Sequence, residues 1–324
     1  VENMLIDILR LSHACIRVTN LERALYFYRD LLGFIETETK GEYAYLRGIE
    51  EGQHHSLVLK RATSPGLSYL GFRVRRPEEL DKAKELIEKY NLKVRKFKEE
   101  AVEDAIIFES PAGIPIVLYY NMEYVADPRI QRLQFSIQRG ARPARIDHAV
   151  VMVNNIDKEY EFYHNVFGFY ETEGYIDDEG KRVIAFLTKF GHSHEIAIGK
   201  YDKTVPALSH INYYVQNVDD IIRAADILGS KGLKRCVETG VFKHRAASTI
   251  TAYFRDLDGN RIELSSQDYF ILDPDKLPPL EYPMSLLSAE GDFWGPFPFS
   301  VLNDVMPVED IFTGEIKTEI HQRR

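Results

Sequence analysis

Leu11 to Glu38, LSHACIRVTNLERALYFYRDLLGFIETE, and Ile146 to Glu173, IDHAVVMVNNIDKEYEFYHNVFGFYETE, align without a gap and agree at eleven of 28 positions. The shared residues include His13 with His148, Asn20 with Asn155, Phe27-Tyr28 with Phe162-Tyr163 and Gly33-Phe34 with Gly168-Phe169. Such a duplication sets the architecture before any single element is read. Each copy opens on a short apolar run around its histidine, which reads as a strand. An asparagine at a helix N-cap follows, then apolar residues at helical spacing: Leu21, Ala24, Leu25, Tyr28 and Leu32 in the first copy. Gly33 and Gly168 stand where a helix C-cap wants a left-handed residue, and the Glu-Thr-Glu segments resume extended alternation.

The theme recurs inside each copy. LSYLGFRV at 67–74 and LSHINYYV at 208–215 each lead into a polar-capped amphipathic helix, predicted over 78–90 and 218–229. Each closes on a turn and a last strand, SPAGIPIVLYY from Ser110 and LDGNRIELSS from Leu257, where Asp258-Gly259-Asn260 is a hairpin signal. The expected fold is therefore α+β: four βαβββ modules paired into two domains, residues 1–137 and 146–267. A linker is expected over 138–145. Residues 268–324 have no counterpart in the first half, and their density of Phe, Trp and Leu predicts a tail that packs on the body.

The 324 residues are 44% hydrophobic and 28% charged, with a net charge of −9 and the signs interspersed, so neither disorder nor a basic nucleic-acid stripe is indicated. Cys15 and Cys236 are the only cysteines and lack metal-type spacing. No run approaches the roughly 18 apolar residues of a membrane span, and the N-terminal residues lack a signal-peptide pattern. A cytoplasmic protein without nucleic-acid or membrane partners is expected.

Duplication supplies an internal control, because residues that hold the fold recur while residues that do chemistry need appear only once. His148 has His13 as its counterpart, but His210 aligns with Tyr69 and Glu263 with Val117. Only the second half carries all three. Two imidazoles and one carboxylate leave open positions on a six-coordinate ion, the ligand set of non-haem iron(II) oxygenases, with manganese(II) or cobalt(II) also satisfied. A lone histidine at a strand start is more often structural, as His13 would be. Glu263 is more telling, since a carboxylate between Ile262 and Leu264 on a strand needs a metal or an arginine beside it. His194, His244 and Tyr253 are further candidates for proton chemistry. His194 pairs with His55 of the first half, and its alternation with Ile196 and Ile198 leaves His192 on the same face, so periodicity does not choose between the two histidines.

These residues resemble the type I extradiol dioxygenases of the vicinal oxygen chelate (glyoxalase/bleomycin-resistance-like) superfamily, in particular the catechol and homoprotocatechuate 2,3-dioxygenase branches. The resemblance rests on IDHAVVMV around His148, DDEGKRVIAFLTKFGHSHEIAI around His194, LSHINYYVQNVDDIIRAADIL around His210 and HRAASTITAYFRDLDGNRIEL from His244 to Glu263. It implies His148, His210 and Glu263 as metal ligands, His194, His244 and Tyr253 as catalytic and substrate-binding residues, and His194 over His192. It also implies Fe(II) with Mn(II) as second choice, a catechol-type substrate with O2, a homotetramer, and cleavage beside the diol to 2-hydroxymuconic semialdehyde. Relatives that take a carboxylate-bearing catechol place an arginine before the residue matching His244, where this chain has Thr239, and another before the tail tryptophan, where it has Ala289-Glu-Gly-Asp-Phe-Trp. Unsubstituted or alkyl catechol is the expected substrate, with Lys243 as a cation that could serve the homoprotocatechuate alternative. Another vicinal oxygen chelate reaction, or a small-ligand binding protein, are the competing readings.

Overall fold

The computed structural model describes residues 5–287 and 292–318. The first half contributes β1 (Ile8–Val18), β2 (Ile35–Lys40), β3 (Tyr43–Arg47), β4 (Leu57–Arg61), β5 (Gly66–Val74), β6 (Val94–Phe97), β7 (Ala105–Glu109) and β8 (Pro115–Tyr119). They form one sheet in the order β2-β3-β4-β1-β5-β8-β7-β6. The second half repeats it with β9 (Arg145–Val153), β10 (Tyr170–Ile176), β11 (Arg182–Thr188), β12 (Ile196–Lys200), β13 (Ala207–Tyr214), β14 (Phe242–Lys243), β15 (Ile250–Arg255) and β16 (Arg261–Ser266). Strand β9 starts at Arg145, so that residue is already sheet rather than connector.

Each module is a strand, a helix and three strands, and the modules of a half meet along an antiparallel seam, β1 with β5 and β9 with β13. Each outer hairpin returns parallel to its own first strand: β4 to β1, β8 to β5, β12 to β9 and β16 to β13. The result is two curved sheets, each cupping one face. The predicted caps form: the side chains of Asn20 and Asn155 accept from the N–H of Arg23 and Lys158, while Gly33 and Gly168 take φ of 91° and 67°. Helices span Glu79–Lys89 and Val218–Ser230, within a residue of the predicted limits.

Carboxylates tie the halves together. Glu195 accepts the N–H of Leu11 at 2.7 Å, and Glu51 accepts that of Ile146 at 2.8 Å, so each half holds the first strand of the other. After β16 the chain returns over the second sheet, adding β17 (Leu280–Pro283) beside β10 and β18 (Met306–Pro307) beside β13. Between them Trp294 pairs its backbone with Lys243. Among the described residues no helix is long and apolar enough to cross a membrane.

Candidate active site

Alternation along β9, β13 and β16 sends one side of each strand into the core and the other into the second cup. Ile262 and Leu264 join the core, so Glu263 between them must face the cup. His148 on β9 and His210 on β13 meet it there. One carboxylate oxygen, Oε2 of Glu263, lies 3.1 Å from Nε2 of His148 and 3.0 Å from Nε2 of His210. All three residues are at most 4% exposed.

This donor set fits a divalent ion. Both histidines are held at the far nitrogen, His148 Nδ1 by Asp147 at 2.9 Å and His210 Nδ1 by Ser209 Oγ at 2.9 Å, which aims Nε2 at the shared point as metal-ligating histidines require. The hydroxyl of Thr251 donates to the second oxygen of Glu263 at 2.6 Å. Burial would raise the Glu263 carboxyl, yet the hydrogen bonds from His148 and His210 outweigh it and hold it well below the usual range. Burial pushes His210 down to about 4, leaving it neutral and able to donate a lone pair.

The remaining predicted residues surround that point. The His194 ring lies 3.9 Å from the His148 ring, and burial together with the neighbouring His148 and His192 keeps it well below the ordinary imidazole value, which disfavours its charged form. Across the cup Nε2 of His244 is 3.1 Å from the hydroxyl of Tyr253. Burial opposes charge on His244, but the hydrogen bond to Asp292 and the Glu263 carboxylate 3.6 Å away prevail and push it up to about 9. Burial keeps the Tyr253 phenol protonated, well above its ordinary value.

The expectation that His192 and His194 share a face does not hold, because β12 starts only at Ile196 and strand alternation does not extend back to either histidine. His194 turns into the cup beside Phe186, whereas His192 groups with Asp147 and Asp268 outside it. Asp292, from the tail, is a site residue that the sequence did not reveal. Its carboxylate meets His244 Nδ1 at 3.2 Å, accepts the N–H of Arg245 at 2.8 Å and is bonded by the hydroxyl of Tyr175. No local pattern marks it, since 48 residues separate it from His244.

The sequence pattern of the Glyoxalase/Bleomycin resistance protein/Dioxygenase superfamily matches residues 10–118 and 145–264. The chain belongs to this superfamily. Within it the chain falls among the extradiol dioxygenases. It is 30% identical over 302 residues to the manganese-dependent 2,3-dihydroxybiphenyl 1,2-dioxygenase of Geobacillus genomosp. 3, covering 90% of this chain and 95% of the relative. It is 28% identical to the metapyrocatechase of Pseudomonas sp. strain CF600, covering 79% and 85%. The homoprotocatechuate 2,3-dioxygenase of Arthrobacter globiformis superposes with a TM-score of 0.90 at 25% identity, covering 98% of this chain and 97% of that one. The cup of this superfamily member encloses about 560 Å³, its open mouth included, and its wall beyond the polar residues is apolar, with Ile184, Leu287, Phe297 and Leu302.

Proposed function

We propose that this extradiol dioxygenase opens catechol or an alkylcatechol with O2 to 2-hydroxymuconic semialdehyde, with iron(II) held by His148, His210 and Glu263. The observation that carries the substrate reading is charge: among the described residues no lysine or arginine lines the cup, while Asp292 does. A ring carboxylate bound there would be buried beside an anion and without a lysine or arginine, the His244 imidazolium being already paired with Asp292. Lys243 does not supply one, since its Nζ reaches Gln267 at 3.5 Å and it does not line the cup. The Arg245 guanidinium lies over Phe293, 5.3 Å from the ring centre, and it too is absent from the lining. Thr239 is occupied by accepting the Tyr253 N–H, and Ala289 to Gly291 lie outside the described residues.

Bound to these three ligands, a divalent iron would supply Lewis acidity toward the two diol oxygens and an electron path to dioxygen. The chain's own groups do the rest. His194, neutral and with Nδ1 beside the Ser193 hydroxyl at 3.1 Å, presents Nε2 to take a substrate hydroxyl proton and later return it. His244 and Tyr253 hold a substrate oxygen from the opposite wall, and Asp292 fixes the imidazole that does so. The apolar wall excludes water, which strengthens these polar contacts.

A second reading, an aryl-substituted catechol with manganese(II), draws support from the manganese-dependent biphenyl-diol relative and from the apolar wall. The homotetramer implied by the resemblance belongs to the proposal too. Leu133 and Phe135, 74% and 72% exposed on the connector between the halves, offer apolar surface for it. The test is to load the protein anaerobically with iron(II), add O2, and follow the yellow ring-fission product from catechol, homoprotocatechuate and a biphenyl diol in parallel. Catechol should give the highest kcat/KM. Preference for the acid would overturn the charge argument, and absence of colour with bound metal would overturn the reaction.

A further inference from the structure

The first cup also gathers metal-type donors, though on different walls. We infer that His13, His55 and Glu99 form a second divalent-metal site, taking a first-row ion such as zinc through two imidazole nitrogens and one carboxylate. Their donor atoms lie within 4.8 Å of one another, as those of His148, His210 and Glu263 do. Glu99 Oε2 is 3.1 Å from His13 Nε2, and Oε1 is 3.2 Å from His55 Nε2. The distances are close to those at Glu263, although there one oxygen meets both imidazoles and here each oxygen of Glu99 meets one.

Strand register shows how the set was assembled. Phe97 pairs with Ala105 and Ile107 with Val117 in the first sheet, where Phe242 pairs with Thr251 and Tyr253 with Glu263 in the second. Glu99, two residues past Phe97, therefore stands where His244 stands, two residues past Phe242. Tyr69 and Val117 occupy the places of His210 and Glu263. The carboxylate missing from β8 is thus present on the facing wall, and His13 and His55, the counterparts of His148 and His194, turn to meet it.

Three physical observations favour an ion over a hydrogen-bonded cluster. Glu99 is 8% exposed, and among the described residues its only ion-pair partners are the two imidazoles, each of which is 0% exposed, so a buried carboxylate lacks a permanent cation. Tyr69 donates its hydroxyl to Glu99 at 2.6 Å, adding an oxygen at the same point. Access exists as well, because Glu99 and Tyr69 line a cleft of about 1580 Å³, its open mouth included. Gly71 leaves room for the His13 ring: a Cβ there would fall 2.0 Å from its Cε1.

The outer partners differ in a way that ranks the two sites. His148 Nδ1 is held by Asp147, whereas His13 Nδ1 has no hydrogen-bond partner among the described residues. Losing such a partner costs about 10- to 100-fold in metal affinity, so the first cup fills after the second. The experiment is a cobalt(II) titration of metal-stripped full-length protein, followed by visible absorption and by metal content after desalting, with ring cleavage assayed separately. Wild type should take up two equivalents per chain, the second about 10- to 100-fold more weakly. Glu99→Gln should lose the weaker equivalent and keep ring-cleaving activity. Glu263→Gln should keep one equivalent and lose activity, which reads the same site without altering the first cup. Saturation of wild type at one equivalent, with none retained by Glu263→Gln, would overturn the inference and leave the extradiol reading intact.

Discussion

The two cups share a backbone and differ in which wall carries the carboxylate. In the second cup Glu263 sits on the last strand, flanked in register by Asn212 and Tyr253; in the first, Val117 sits there, flanked by Gly71 and Ile107. Core-facing positions keep their character across the duplication, as Leu70 with Ile211 and Ile116 with Ile262 show, because they pack helices against both sheets. Cup-facing positions carry no such constraint. The lesson is that one sheet surface preserves the fold while the other is free to change chemistry, even where the change relocates a ligand from one wall to another.

The comparison breaks most visibly at Glu263. Glu263→Gln should lower metal affinity by more than the about 100-fold that loss of an outer partner costs, and abolish ring cleavage with it; undiminished turnover would show that the second cup does not depend on this ligand. His194→Ala should keep metal and lose about 10²- to 10⁴-fold in kcat, the usual worth of a positioned proton acceptor. The corresponding His55→Ala should leave kcat unchanged. Asp292→Asn should keep full metal content and lower kcat/KM about 10- to 100-fold, since a charge-assisted hydrogen bond to His244 is worth about 1.5–3 kcal/mol. The tail reaches the first cup through Glu309 and Ile311, and among the described residues neither bonds Glu99.

Two smaller effects sharpen the structural side. Gly71→Ala forces the His13 ring to shift and should cost about 1–3 kcal/mol of stability, read as a lowered Tm with ring cleavage unaffected. Glu159, on the helix Ile156–Asn165, accepts the N–H of Ala112 across the two halves at 2.9 Å, and burial pushes its carboxyl up to about 7. A carboxyl raised on folding stabilises most below its unfolded value and loses that contribution as pH rises through the folded one. Wild type should therefore weaken between about pH 5 and pH 8 by roughly 1–3 kcal/mol relative to Glu159→Gln. A Tm gap between the two that stays flat over this range would place Glu159 in a more solvated setting.

Much of this was legible in the sequence because its signals are local and repeated. The duplication exposed the four modules, Asn20 and Asn155 marked helix starts, and Ile262-Glu263-Leu264 placed a carboxylate on the cup face by strand alternation alone. His194 was harder, since its segment precedes β12 and obeys no strand period. Glu99 and Asp292 were invisible: each lies in irregular chain, and each matters only through a partner far along the sequence.

The sequence by itself determined the module, its duplication and the face on which each strand residue lies, because those follow from hydrophobic period and capping within a few residues. Only the tertiary structure decided which cup-facing groups meet. His13 and Glu99 are 86 residues apart, and His244 and Asp292 are 48 apart. Such meetings are fixed by sheet curvature and by the return of the tail over the second sheet, neither of which leaves a periodic trace in the residues that take part.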